Sequence, residues 1–133
     1  MFDFRWLTSE DYEQLKGWWR DHHWTPPPQQ MLPDNGKCGI MISKNGENIC
    51  AGFIYFTNST VAWIEFIIAN KQYQQRDKKL ALKELVNTIS EISRSQGFSV
   101  LFTSLESKSL IKLFKECDFV VGDEGVTQLI KTL

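Results

Sequence analysis

The chain of 133 residues lacks features that are typical of several classes of protein. Its apolar runs are far shorter than the ~20 residues of a membrane-spanning helix, and the stretch Met1–Trp6 carries an aspartate where a signal peptide has its positive start. A basic surplus is also missing, because 15 Lys and Arg stand against 16 Asp and Glu, which argues against an extended surface for duplex nucleic acid. We therefore expect a cytoplasmic protein with no membrane contact.

Cysteine and histidine are scarce as well. The three cysteines, Cys38, Cys50 and Cys117, follow neither C-x-x-C nor metal-site spacing, so we expect reduced thiols. The only two histidines, His22 and His23, are adjacent at the expected end of a helix, where their side chains cannot point the same way. Ordinary polar residues are therefore a better interpretation of this pair than a metal site or a general base, and no metal is predicted.

Aromatic side chains, by contrast, are abundant. They make up 13% of the residues and include five tryptophans and nine phenylalanines, which indicates a substantial core or a lined pocket. A chain of this length buries enough surface to be stable without disulfides or metals. We therefore expect one globular domain over residues 1–133.

Hydrophobic periodicity and turn signals predict an α/β (α+β) protein with the order β-α-β-β-β-α-β-α-β-β. The sheet is expected to be mixed, mostly antiparallel and about seven strands wide, with helices on both faces. The predicted strands are Phe2–Trp6, Cys38–Ser43, Ile49–Phe56, Val61–Ala69, Ser99–Thr103, Phe119–Val121 and Val126–Ile130. Three helices are predicted. The first begins near Ser9, the second runs from about residue 78 to Gly97, and the third runs from Ser107 to about Cys117. Pro26–Pro28 open a loop that ends near Gly36 and has the character of a binding wall or lid.

The stretch from Val61 to Leu85 organises the rest of the chain. It is predicted to form a strand, a charged loop and the start of the longest helix, which aims a row of backbone N–H groups at whatever lies beyond the helix N-terminus. We expect an anionic ligand to bind there.

This order of elements resembles the GNAT superfamily of acyl-CoA-dependent N-acyltransferases over essentially the whole chain. The family motif that grips the cofactor pyrophosphate, Q/R-x-x-G-x-G/A, aligns with Gln74-Gln75-Arg76-Asp77-Lys78-Lys79, in which Gln74 matches and both glycines are missing. Without glycine, Arg76, Lys78 and Lys79 would bind phosphate through their side chains and offset the repulsion from Asp77. The alternative is an ordinary solvated charged loop.

The resemblance also implies roles for residues outside the loop. The pantetheine arm of the cofactor would pair with the backbone of Ile67 to Asn70, and an N–H group near Ile67 or Ile68 would polarise the thioester carbonyl. A family tyrosine that lies near the thioester sulfur and often serves as general acid corresponds to Phe114, which has no hydroxyl and would contact the cofactor only by packing. Glu65 is the only acid in its strand and would be the general base, and strict alternation places it on one face with Trp63 and Ile67.

The function implied by the resemblance is transfer of an acetyl group from acetyl-CoA, or another acyl-CoA, to a small-molecule or peptide amine. The acceptor would enter between the first helix and the proline loop, where Trp18, Trp19 and Trp24 would form a wall. The chain also looks like small GNAT-type proteins of tailed bacteriophages, which would place it in a bacterial host. The alternative hypothesis is an inactive GNAT-shaped module that binds a protein or nucleic acid. Monomer and dimer are both left open.

Overall fold

The computed structural model describes all 133 residues and contains five strands and three α-helices. In chain order they are β1 (Asp3–Trp6), α1 (Asp11–Asp21), β2 (Gly39–Lys44), β3 (Glu47–Phe56), β4 (Val61–Ala69), α2 (Lys78–Ser95), β5 (Val100–Phe102) and α3 (Lys108–Glu116). Two short 3₁₀ turns, Gln29–Met31 and Pro33–Gly36, lie in the proline loop. The predicted mixed α/β class is confirmed.

The five strands form one sheet in the order β1-β2-β3-β4-β5. The first four strands pair antiparallel, and β5 pairs parallel to β4 after the crossover through α2. The tight turn between β2 and β3 is made by Asn45 and Gly46, which both adopt the positive φ angles that a two-residue hairpin turn demands. The mostly antiparallel sheet is therefore confirmed.

The predicted width of about seven strands is wrong. Phe119–Val121 and Val126–Ile130 form no strand, and the last backbone hydrogen bond of the chain runs from Phe119 N to Phe114 O. Almost every residue from Asp118 to Leu133 is exposed. The β-branched composition of this segment is only a propensity, and a strand also needs a paired edge and a covered face, neither of which the segment finds here.

Helices pack on both faces of the sheet because side chains alternate along its strands. In β2, Ile40 and Ile42 point into a core under α2 and α3, whereas Met41 points into a second core under α1. The second core contains the rings of Trp18, Trp19 and Phe53, and it also receives Leu32 from the proline loop. Each face of the sheet is thus covered by its own set of helices.

The end of α2 and the start of α3 follow the predicted signals. Gly97 adopts a φ of +95° just after α2, as expected for a residue beyond a helix C-terminus. The Ser107 hydroxyl accepts a hydrogen bond from Leu110 N and caps α3. At the start of α1, Arg5 pairs with both carboxylate oxygens of Asp11, which fastens the helix to β1. None of the helices combines the length and the apolar character that crossing a membrane would require.

Candidate active site

A β-bulge in the middle of β4 sets the geometry of the site. Phe53 pairs with Glu65 and Ala51 pairs with Ile68, so that Gly52 alone lies opposite two residues of β4. Phe66, the first of those two residues, has a φ of +56°, which is rare for a bulky side chain. The extra residue turns the strand at this point and changes which side chains reach each face.

The bulge overturns the alternation that was expected for β4. The side chain of Ile67 packs over Gly52 and joins the core under α2, while Glu65 stays on the opposite face with Tyr55 and Trp63. The prediction that Ile67 shares a face with Glu65 is therefore wrong. Period-two alternation holds only along a regular ladder, and β4 itself contains no glycine or proline that would indicate the irregularity, although Gly52 lies opposite it in β3.

Strands β4 and β5 separate just before the bulge. They pair only from Val61 to Trp63, and the Thr103 hydroxyl then donates to the Ile64 carbonyl at 2.9 Å where β5 leaves. Beyond that point the outer edge of β4 has no neighbouring strand. We call this segment, from Glu65 to Ala69, the open edge.

The ladder with β3 determines which backbone groups face the open edge. Asn70 N donates to Ile49 O across the ladder, so Asn70 and Ile68 point toward β3, and Ile67 and Ala69 point away from it. The carbonyl of Ala69 contacts the His22 ring at 3.1 Å. The backbones of Ile67 and Ala69 thus face away from β3, and because His22 engages the Ala69 carbonyl, Ile67 is left at the position where the resemblance puts the polarising N–H group.

Glu65 lines a cavity of about 350 Å³ at the open edge on the α1 face. The other lining residues are Tyr55, Trp63, Phe66 and Gln128. The Glu65 carboxylate is half-buried and makes no hydrogen bond or ion pair within the chain, and burial raises its pKa. Such a carboxylate is suited to proton transfer, because a general base is most effective when its pKa lies near the working pH, and burial moves the pKa of Glu65 in that direction.

Tyr55 fastens one wall of this cavity to the proline loop. Its hydroxyl donates to the Met31 carbonyl at 2.8 Å, and burial together with the charge of Glu65 raises the pKa of Tyr55 to about 12. A second tyrosine, Tyr12 of α1, donates to the Pro27 carbonyl at 2.7 Å. The loop is therefore held against the sheet and α1 by two tyrosine hydroxyls.

The three tryptophans of the predicted acceptor wall separate in the structure. Trp18 and Trp19 are 5% and 3% exposed and belong to the core under α1, where Trp19 packs on Phe53 and Phe66. Trp24 is 51% exposed and stacks on the ring of His22. The wall of three indoles is not formed, because helix α1 turns its two adjacent tryptophans inward.

The charged loop before α2 is the predicted phosphate site. Gln74, Gln75 and Arg76 are exposed, and neither the Lys79 N–H nor the Leu80 N–H at the start of α2 has an acceptor within the chain. A polar cavity of about 500 Å³ adjoins the loop. It is lined by Lys44, Asn45, Glu47, Tyr73, Gln75, Arg76 and Asp77.

The cations of the loop differ in their availability. Arg76 makes no ion pair, whereas Lys79 lies 3.3 Å from the Glu116 carboxylate of α3. Lys78 is partly buried, and that burial lowers its pKa. Of the three side chains that were predicted to replace the glycines, Arg76 is the freest to meet a phosphate.

Asp77 precedes α2 but does not cap it. One carboxylate oxygen accepts from Lys44 Nζ and the other from the Tyr73 hydroxyl, both at 2.7 Å. The hydrogen bonds from the Lys44 ammonium and the Tyr73 hydroxyl lower the pKa of Asp77. The bond between Tyr73 and Asp77 also raises the pKa of Tyr73 to about 12. The carboxylate is thus turned toward the β2–β3 hairpin and away from the helix N–H groups.

Phe114 was predicted to contact the cofactor, but it is buried away from the open edge. It is 2% exposed, belongs to the core under α2 and α3, and packs against Phe119.

Sequence reasoning did not assign a role in the site to four residues that shape it, namely His22, Lys44, Tyr55 and Thr103. Each of these residues contacts a residue that is 24 to 47 positions away in the chain, and no local pattern indicates such a pairing.

No protein-family model matches the chain, and no curated protein matches it in sequence. Solved structures do share its fold. The ribosomal-protein-S18-alanine N-acetyltransferase from Escherichia coli superposes with a TM-score of 0.71 at 14% identity, over 88% of this chain and 76% of that one. The structure of AAC(6')-Iy in complex with the bisubstrate analogue CoA-S-monomethyl-acetylneamine gives a TM-score of 0.68 at 17% identity over 99% of both chains.

A third similar structure is N-acetylglutamate synthase from Neisseria gonorrhoeae complexed with coenzyme A and L-arginine. It gives a TM-score of 0.73 at 15% identity and covers 96% of this chain, which spans only 29% of the synthase. Identities this low establish the fold alone. Nothing in these likenesses bears on the bacteriophage resemblance, which stays a prediction. The architecture, the bulged and half-open β4 and the superpositions together show that this chain has the GNAT acetyltransferase fold.

Proposed function

We propose that residues 1–133 form a domain that transfers an acetyl group from acetyl-CoA to an amine in a single ternary complex. The observation that carries the proposal is the open edge of β4, where the backbone of Ile67 faces the gap beside the half-buried and unpaired Glu65. The solved structures of similar fold that contain coenzyme A or a coenzyme A analogue support a ligand of this class.

In this proposal the Ile67 N–H donates to the thioester carbonyl oxygen and stabilises the negative charge that develops there. Glu65 takes a proton from the incoming amine, directly or through one water. The amine nitrogen then forms a bond to the carbonyl carbon, the carbon–sulfur bond breaks, and the departing thiolate takes a proton from water, because Phe114 has no proton to donate. No covalent intermediate with the protein is needed.

The groups available for the cofactor fit it in part. Ile67 is free for the pantetheine arm, but the Ala69 carbonyl is engaged by His22 and Asn70 N is engaged by Ile49. At the loop, Arg76 and the N–H groups of Lys79 and Leu80 are free for phosphate. Gln74, Gln75 and Lys78 are secondary candidates, since they flank these donors.

The acceptor site is proposed to be the cavity at Glu65, where Tyr55 binds the exposed Met31 of the proline loop; Trp24, exposed just before that loop, stacks on His22 at the Ala69 end of β4. The depression of about 350 Å³ is widely open to solvent, so it admits either a small amine or the end of a peptide. Trp18 and Trp19 would act by supporting the floor under this cavity from the core.

The competing hypothesis is a GNAT-shaped module without catalysis, which binds a protein or nucleic acid. The observation that favours it is the pairing of Lys44 with Asp77 and of Lys79 with Glu116, which neutralises cations that a phosphate would need. The same pairs also weaken any electrostatic attraction for a nucleic acid.

Calorimetry with coenzyme A separates the two hypotheses. Ligand at about 100 times its dissociation constant should raise the free energy of unfolding by about 2.7 kcal/mol in an enzyme of this class. Arg76→Ala should weaken this response, and Arg94→Ala, at the far end of α2, is the matched control. If the wild-type protein gives no binding heat and no thermal shift with coenzyme A or acetyl-CoA, the enzymatic proposal is wrong.

A further inference from the structure

The carboxylate of Asp77 has two possible partners on opposite sides of it. As the residue before α2, it is in the position from which aspartates ordinarily accept hydrogen bonds from the N–H groups two and three residues on, here Lys79 and Leu80. It makes neither bond, its backbone (φ −89°, ψ 11°) lies outside the extended conformation of a capping residue, and its carboxylate instead accepts from Lys44 and Tyr73 at 2.7 Å each. The strongest local capping residue of the longest helix is therefore diverted from the helix.

Lys44 and Tyr73, the two residues that bind the Asp77 carboxylate, are themselves held in place. Lys44 ends β2, its side chain is about one-third exposed, and its ammonium also lies 5.6 Å from the Phe2 ring. Tyr73 is 4% exposed and belongs to the core under α2, so its ring cannot follow the carboxylate if the latter rotates. A rigid phenol and a partly buried ammonium thus fix one rotamer of Asp77.

The consequence concerns the charge at the start of α2. An acid that capped the helix would place a full negative charge on the N–H groups that face an incoming phosphate, and like charges at this distance repel. Turned aside and paired with Lys44, the same carboxylate leaves those N–H groups free and is itself neutralised.

We propose that Lys44 and Tyr73 are positioning residues that hold Asp77 away from the N-terminus of α2, and so make this loop compatible with phosphate-bearing acyl donors in the absence of the usual glycines. This inference rests on the proposed function for its ligand, but the orientation of Asp77 can be tested without one. According to this inference, the contact between the β2–β3 hairpin and the loop before α2 helps to determine the affinity for the diphosphate portion of the donor.

The test is a double-mutant cycle of Lys44→Met, Asp77→Asn and the combination, with Lys112→Met on α3 as the control for loss of an exposed cation. In Lys44→Met the freed carboxylate should cap α2, and amide hydrogen exchange at Lys79 and Leu80 should slow by about threefold or more. Affinity for coenzyme A should fall by about tenfold through repulsion at the helix N-terminus. Affinity for pantetheine, which carries no phosphate, should not change.

The double variant decides between positioning and direct contact. If Lys44 acts by holding Asp77, then Lys44→Met with Asp77→Asn should restore wild-type affinity for coenzyme A, because the charge that Lys44 controls is gone. An unrestored affinity would assign Lys44 to direct phosphate contact and overturn the proposal. Equal losses for coenzyme A and pantetheine would overturn it as well.

Failure of the proposed function gives a different result from failure of this inference. If the wild-type protein does not bind coenzyme A, the amide exchange of Lys79 and Leu80 still reports where the carboxylate lies. Exchange that is unchanged in Lys44→Met, relative to Lys112→Met, would overturn the inference whatever the ligand. Tyr73→Phe should show the same effects as Lys44→Met at smaller size, since the phenol is an uncharged donor and its loss leaves the Lys44 ion pair in place.

Discussion

On its β3 side, strand β4 is paired over most of its length, whereas on its β5 side it is paired only from Val61 to Trp63. The paired side lies between two cores in which Phe53, Ile54 and Ile64 are completely buried. At the β5 side, Val100 and Phe102 are each 45% exposed, and a half-buried carboxylate faces a cavity. One strand thus has an edge that stabilises the fold and an edge that is left available for a ligand.

The difference follows from how backbone groups can be satisfied. A ladder satisfies every N–H and C=O group and leaves none for a substrate, so binding through the backbone requires an interrupted ladder. The bulge at Phe66 and the departure of β5 at Thr103 provide that interruption. The edge of β4 that stabilises the fold and the edge proposed to bind the ligand thus lie on opposite sides of the same strand.

The largest expected effect lies on the paired side. Phe53→Ala should lower the free energy of unfolding by about 3–5 kcal/mol, because it removes a fully buried ring that stacks on Trp19 and leaves a cavity. Urea denaturation of the purified variant measures this. Phe102→Ala at the open side is the matched control and should cost much less, since half of its ring already meets water. Equal losses would break the comparison.

On the open side, the effect should appear in rate rather than in stability. Glu65→Gln should lower turnover of acetyl-CoA with an accepted amine by about 10²–10⁴-fold, because the amide cannot take a proton. Wild-type activity should fall as the pH drops through the raised pKa of Glu65, and this limb should vanish in the variant. Glu91→Gln on α2 serves as the control. Unchanged turnover would remove Glu65 from the mechanism.

The contact at which the two strands separate should have an intermediate effect. Thr103→Val removes the hydroxyl that donates to the Ile64 carbonyl and should cost about 1 kcal/mol in the free energy of unfolding. The variant keeps the shape of the side chain, so thermal and urea unfolding report the hydrogen bond itself. Thr132→Val, in the exposed C-terminal segment, should have no measurable effect.

A smaller effect concerns stability against pH. Burial raises the pKa of Glu65 in the folded protein, so the folded state holds the proton more tightly than the unfolded state does. The free energy of unfolding should therefore decline as the pH rises from the unfolded to the folded pKa. Glu65→Gln lacks this decline, and its melting temperature should exceed that of the wild type at neutral pH. The two should converge below a pH of about 4, and divergence there would contradict the argument.

The smallest effect is expected at the C-terminus. Deletion of residues 120–133 should change the free energy of unfolding by no more than about 0.5 kcal/mol, because these residues are exposed and unpaired. Since Gln128 lines the Glu65 cavity, calorimetry with coenzyme A on the truncated chain shows whether the segment also influences ligand binding. A large loss of stability would mean that the segment pairs with the sheet in solution.

Much of the fold was predictable because its signals are local. The hairpin at Asn45-Gly46, the cap at Ser107 and the end of α2 at Gly97 each depend on one or two residues whose chemistry favours one backbone geometry. The order of elements followed from these signals and from periodicity. The strands predicted in the last 15 residues failed, since their apolar residues had propensity but no edge to join.

The site was less predictable, because its geometry depends on contacts between distant segments. Glu65 was identifiable as the only acid in an apolar strand, and Arg76 as a cation at the start of a helix. The inward turn of Trp18 and Trp19 depended on how α1 lies against β4, which adjacent tryptophans do not reveal.

The amino-acid sequence by itself determined the class of fold, the central strand and the helix that follows it, because hydrophobic period, caps and turn residues act over a few positions. Only the tertiary structure decided that Ile67 turns inward at the bulge, that β5 leaves β4 at Thr103, and that Asp77 turns to Lys44 instead of capping α2. Each of these features involves contacts between residues that lie far apart in the chain, which local sequence patterns do not encode.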